Sequence, residues 1–220
     1  MMHVLMSFFI TLVLLTSTSS SICYAESHAN QISVSQSQKR TEVIKVFKRA
    51  IDLNEDFKSS MQSPLAEQLE KREKLEKFHE EILWPNLSNC AKLLSSGNDA
   101  MLAIQLFDLL ISFQNSADEQ LAFYLGEIFH NNPELVIATL KKYGKDDQKV
   151  LYRYLDWGWA NFVWGRKVPE SIFVDRKKKI LKLQVEIVGD ETDYYYGLKD
   201  KMIIIPNGKD TQKNQKTESR

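Results

Sequence analysis

Side chains able to do chemistry concentrate in one segment, Tyr152-Arg153-Tyr154-Leu155-Asp156-Trp157-Gly158-Trp159-Ala160-Asn161-Phe162-Val163-Trp164-Gly165-Arg166. Three of the four tryptophans of the chain fall within eight positions there. On a helix Arg153, Trp157, Ala160 and Trp164 share one face, while Tyr152, Leu155, Trp159 and Phe162 approach another. Both faces cannot be equally buried. Aromatic stripes at helical spacing usually build core, with Gly158 letting a neighbouring helix come close. A partly exposed cluster would instead have the aromatic and arginine composition of an interface hot spot, or offer rings on which a sugar could stack. The candidate binding residues are therefore Tyr152, Arg153, Asp156, Trp157, Trp159, Trp164 and Arg166.

No catalytic pattern competes with this segment. His79-Glu80-Glu81 opens like a zinc-protease helix, but the second histidine such a helix needs four positions on is replaced by Leu83. His130, next to Asn131 and Asn132 at an expected helix end, suits stabilisation of terminal carbonyls. There is no nucleophile elbow and no glycine-rich phosphate loop, and eight glycines in the whole chain serve backbone approach to a phosphate poorly. The acidic pairs Glu80-Glu81, Asp146-Asp147 and Asp190-Glu191 are adjacent surface types rather than a glycosidase couple. No cofactor or metal is expected, and no catalytic residue is assigned. The run Arg176-Lys177-Lys178-Lys179 reads as a solvated face with some attraction for anionic head groups or an acidic partner.

The first 25 residues bear on where any binding would occur. Val4 to Leu15 is an apolar run broken only by Ser7 and Thr11, followed by small polar residues and Cys23-Tyr24-Ala25, which is how a secretory leader and its cleavage site read. The run is shorter than the roughly 20 residues a spanning helix needs. An uncleaved anchor and lipidation at Cys23 are the alternatives, the latter opposed by the bulk of Ile22. Membrane contact is expected only through one of those two routes. Leader removal leaves a formally neutral chain, since all 29 basic and 29 acidic residues lie beyond it. Neutrality argues against a nucleic-acid binder, which draws its affinity from neutralising phosphates. Cys90 is then the remaining cysteine, so no intramolecular disulfide is available and burial must hold the fold. Its surroundings, Leu87 to Leu94, suit a small buried hydrophobe. Asn86-Leu87-Ser88 has the spacing of a glycosylation acceptor.

Helix signals supply the frame for these residues. Ser27 to Arg40 is polar and reads as a flexible lead-in (26–40), with a single domain from 41 to 206 and a disordered polar tail over 207–220. Val43, Val46, Phe47, Ala50, Ile51 and Phe57 recur at helical spacing. Pro64 to Leu83 is a charged helix with Glu67–Lys71, Glu70–Lys74 and Glu73–Lys77 at favourable spacing and a stripe of Leu65, Leu69, Leu75, Phe78 and Ile82. Pro85 should interrupt or kink it. Gly97 suits a helix end and Asn98 or Asp99 the next cap, ahead of a nearly all-apolar core helix from Met101 to Phe113. Ser116 with Glu119 forms a capping box, Asn132 and Pro133 start another helix, and Asp146 or Asp147 caps the one that carries the aromatic segment.

Starts near 98, 116, 132 and 146 place two helices in roughly 30 to 34 residues, a rhythm that resembles helical hairpin repeats, although no tetratricopeptide signature is present. The fold class is all-α: antiparallel helix pairs stacked as a short α-solenoid-like array or an orthogonal bundle. A helix is preferred to a strand from Ser171 to Val188, and Tyr194 to Pro206 is expected to return as an extended segment. The function expected of this chain is that of an exported, periplasmic or secreted, binding or inhibitor protein whose partner is another envelope or secreted protein. The alternative is a small envelope hydrolase of glycan or peptidoglycan, which requires a buried carboxylate meeting Trp157 or Trp164 inside a concave pocket.

Overall fold

A computed structural model describes residues 35–114 and 119–189. The expected leader, Ser116 of the expected capping box, and residues 194–206 and 207–220, expected as an extended segment and a polar tail, lie outside the described residues. The chain divides into two compact units, Met1–Glu42 and Val43–Arg220. Of the first, residues 35–42 are described; they are helical, with the Thr41 hydroxyl donating to the Ser37 carbonyl at 3.0 Å. Helix is thus already present at 35–40, where composition suggested a flexible lead-in: polar residues with few apolar neighbours lower the reward for burial but do not forbid helical backbone.

The described residues of the second unit form helices joined by turns, with no strand among them, and 180–187 are helix. Its elements are α1 (residues 43–59), a short 3₁₀ turn (Ser60–Gln62), α2 (Leu65–Phe78), a π-helical turn (His79–Leu83), α3 (Trp84–Ser96), α4 (Ala100–Ser112), α5 (Glu119–Asn131), α6 (Pro133–Leu140), α7 (Lys145–Val163) and α8 (Glu170–Ile187). The core contains Phe47 of α1, Leu106 and Phe107 of α4, Leu125 and Phe129 of α5, and Leu155 and Trp159 of α7, all buried.

Pro85 does not break the helix. Backbone angles stay right-handed helical through His79, Leu83 and Trp84, and the amide of Trp84 donates to the carbonyl of His79, five residues back. The widened turn makes room for the proline ring, and Asn86 Nδ2 donates to the Ile82 carbonyl at 2.9 Å, supplying a side-chain donor beside the residue that has lost its own. Asn86 is buried in this role, so the glycosylation pattern it heads lies inside a helix. On α2, Glu67–Lys71 closes at 3.1 Å whereas Glu70–Lys74 and Glu73–Lys77 do not, and Lys71 also reaches Asp56 of α1 at 3.1 Å. Leu65 and Leu69 of the expected stripe stay exposed; Leu75 is buried.

Helix ends follow local chemistry. Asp99 Oδ1 accepts the Leu102 amide at 3.0 Å and caps α4. Asn132 caps α6 through the Leu135 amide, and its Nδ2 donates to Leu94 O at 3.0 Å and Gly97 O at 2.8 Å. One side chain thereby ties the start of α6 to the end of α3. Gly144, not Asp146 or Asp147, is the N-cap of α7; it makes no side-chain bond, and the two aspartates occupy the first turn, where they face the positive end of the helix.

The two most extensive contacts join helices two apart in sequence, α5 with α7 and α3 with α5; α4 packs on α6 to the same extent as α5 on α6 and α7 on α8. Asn131 and Asn132, at the end of α5, meet Ser95 and Leu94 at the end of α3, and Tyr143, after α6, donates to Ile104 O and Asp108 Oδ1 of α4. The C-terminal ends of α3 and α5 therefore lie together, and the end of α6 meets the middle of α4. Sequence separations in these contacts are 36, 38, 39 and 35 residues. That spacing is the rhythm of stacked helix pairs, with α5 packed on both α3 and α7. α8 packs on α7, and its Lys179 and Glu186 reach Glu134 and Lys141 of α6 through ion pairs.

Candidate interaction surface

The α5–α7 contact fixes which way α7 turns its side chains. Gly126 and Gly158 meet there: a Cβ on Gly158 would collide with the Ala122 carbonyl, and one on Gly126 with the Gly158 carbonyl. Only hydrogen at both positions allows this approach. The Gly158 side of α7 being pressed on α5, Tyr152, Leu155, Trp159 and Phe162 are buried. Trp159 is fully enclosed, stacked on Phe173 of α8 at 5.4 Å and edge-on to Phe129 at 6.4 Å. The opposite side holds Arg153, which is exposed, Trp157 and Ala160, which are half-buried, and Trp164, whose relative exposure is 63 %. The two faces distinguished by spacing are thus unequal, and most of the aromatic segment is core.

At the end of α7 the chain leaves the helix at Trp164, and Gly165, at φ +72°, turns it back so that the Arg166 amide donates to Val163 O at 3.1 Å. The positive φ is one that a side chain would strain. The turn lays the Arg166 guanidinium 4.2 Å from the Phe162 ring centre and 5.6 Å from that of Phe123. Arg153, Trp157, Trp164 and Arg166 are the sequence-derived site residues that reach solvent; Tyr152, Asp156 and Trp159 are buried.

Asp156 is the chemically unusual member. Its relative exposure is 9 %, its Oδ1 has no hydrogen-bond partner among the described residues, and burial pushes its carboxyl up from 3.8 to about 6. Trp159 Nε1, one turn along, is likewise buried without an acceptor among the described residues. His130 does not serve the end of α5 as a cation. Burial, then Arg176 and Arg166, push its pKa down, and Arg176 Nε donates to the His130 carbonyl at 2.9 Å, taking the role expected of the imidazole. Cys90 is fully buried, and burial raises its thiol far above the usual range.

A cleft of about 660 Å³ lies elsewhere, lined by Phe57, Arg72, Glu76, His79, Trp84 and Glu119 among others. Sequence reasoning missed it, because its walls come from α1, α2, the π turn, the start of α3, Phe113 after α4, and α5. The π turn was the signal available in principle, since such turns recur at functional sites. None of the residues from Tyr152 to Arg166 lines this cleft. Among the described residues no group of three or more His, Cys, Asp or Glu side chains is arranged to hold a metal, and no helix is long and apolar enough to cross a membrane. No protein-family model matches the chain, and no curated protein or solved structure matches it.

Proposed function

We propose that this is an exported helical binding protein that engages another envelope or secreted protein through the solvent face of α7. The observation that carries the reading is the division of the aromatic segment. One face is sealed into the core, while Arg153, Trp157 and Trp164 stay on an open face with Arg166 beside them. A half-open tryptophan flanked by arginines is the composition of interface anchors. Export rests on the leader-like residues 1–25. The hydrolase reading is the less favoured, because Asp156, the buried carboxylate with a raised pKa, does not line the cleft.

Capture from envelope extract by the native chain, compared with Trp164→Ala and Arg153→Ala, tests the reading. Both positions are exposed, so circular dichroism should show unchanged folding. A specific partner should be recovered at least about tenfold less by Trp164→Ala, the cost of losing one hot-spot side chain. Equal recovery of every captured protein removes the surface from consideration.

A further inference from the structure

The outer face of α8 has a composition unlike that of a solvated helix. Val174, Leu181 and Val185 are seven and eleven residues apart, which sets them on one side of the helix. Their relative exposures are 40, 43 and 72 %. Ile180 and Leu183 point into the core, and Lys179 and Glu186 reach towards α6, so the aliphatic ridge lies on the side turned away from both neighbours. Lysines flank it: Lys178 and Lys182 on one side, Lys177 on the other.

The basic run divides along the same line. Arg176 is engaged with Asp175 and the His130 carbonyl, and Lys179 with Asp175 at 2.9 Å and Glu134 at 3.2 Å, so these two cations serve the fold. Lys177 and Lys178 form no ion pair among the described residues, and Lys182 has a loose one with Glu186 at 3.8 Å. Glu170, at the start of the helix, is the acidic residue nearest the ridge line. Three lysines thus border a strip about 16 Å long in which three aliphatic side chains meet water.

We propose that this face of α8 docks on an anionic membrane surface, the ridge entering the head-group boundary and Lys177, Lys178 and Lys182 meeting lipid phosphates. Charge complementarity selects the partner, and size selects a bilayer over a protein. One helix face of about 10 by 27 Å offers roughly 300 Å², well below the roughly 800 Å² per side of a stable protein interface, but enough for shallow interfacial seating. Long lysine stems keep their ammonium groups at the phosphate level while the ridge sits deeper. This contact needs neither an anchored leader nor a lipid on Cys23, and it is independent of the α7 surface.

The test is co-sedimentation of the full chain with vesicles of phosphatidylcholine alone and of phosphatidylcholine with roughly 30 mol % phosphatidylglycerol, at low and high salt. Each lysine at an anionic surface is worth about fivefold in partitioning, so the triple variant Lys177→Ala, Lys178→Ala, Lys182→Ala should bind anionic vesicles about 100-fold less. Leu181→Ser with Val185→Ser should lose about tenfold. The leader contains no Lys or Arg, so attachment through it would be equal on neutral and anionic vesicles and indifferent to the three lysines. Preference for anionic vesicles that falls with salt and with both variants supports the proposal. Absence of vesicle binding, equal binding to both compositions, or a lipid-free dimer dissociated by Val185→Asp overturns it, the last assigning the ridge to a second copy of the chain.

Discussion

Asp156→Asn is expected to make the protein more stable at neutral pH. The side chain is almost completely buried, its Oδ1 has no partner among the described residues, and burial alone moves its carboxyl from 3.8 to about 6. Between those two values the folded protein holds a proton that the unfolded chain has released. Stability therefore falls as pH rises through that window and is level above it. The interval corresponds to about 3 kcal/mol, which is what an ionised Asp156 costs the fold at pH 7.5. Asparagine has nearly the same shape and no charge, but its amide hydrogens also lack acceptors, an offset of about 1 to 2 kcal/mol. The net gain should be about 1 to 2 kcal/mol at pH 7.5.

Urea denaturation of both proteins between pH 3.5 and 8 measures this directly. The gap should close or reverse below about pH 4, where the wild-type carboxyl is protonated in both states. His130 contributes the opposite slope. Its pKa is lowered on folding, so its share of stability is present above the unfolded value of 6.5 and is lost as pH falls through and below it. That contribution is common to both proteins and cancels in their difference. An Asp156→Asn protein less stable than wild type at pH 7.5, with a gap that ignores pH, would refute the reasoning. A more stable variant that also loses the partner captured through Trp164 would show that the charge is kept for binding.

The α5–α7 contact gives a second expectation. Gly158→Ala should cost more than about 3 kcal/mol in chemical denaturation, since its Cβ meets the backbone of Ala122 rather than a movable side chain, and Gly126→Ala should behave alike. Wild-type stability in either variant would disprove the close approach. For Asn132, replacement by Ala should lose about 2 to 3 kcal/mol, combining a helix cap with the donors to Leu94 and Gly97. Asn132→Asp keeps the cap and loses the donors, so its midpoint should fall between the other two; equality with Ala would deny the cap any weight.

Much of the helical frame was legible because it is written in short-range chemistry. Asp99 and Asn132 cap helices through amides three residues on, Pro133 takes the first helical position and Gly97 follows the end of α3, all set by local preference. What failed to be legible depends on groups that arrive from far along the chain. His130 looked like the cation at the end of α5 until Arg176, 46 residues later, took that carbonyl. Pro85 looked like a break because the rule for proline assumes a regular α turn, whereas a wider turn accommodates the ring. The cleft joins Asn54 to Gln120, so no local window contains it. Within Tyr152 to Arg166 the spacing defined two faces, and the Gly126–Gly158 contact decided which was buried.

Exposed apolar side chains also occur elsewhere, at Leu65 and Leu69 of α2 for example, but the stacking gives those at the end of α7 and on α8 a particular setting. In a solenoid each helix pair covers the apolar side of the pair before it, and the last pair must either turn a polar side outward or be covered by something else. Among the described residues α7 and α8 are that last pair. Their outward sides are not polar: α7 presents Trp164 and half-buried Trp157, and α8 presents Leu181 and Val185. The arginines on one and the unpaired lysines on the other are what a terminal pair would keep if its cover were external and, for α8, negatively charged. Replacing Leu181 and Val185 by serine should therefore leave the stability of the stack within about 0.5 kcal/mol while lowering vesicle attachment about tenfold, because both side chains lie on the side of α8 turned away from the core.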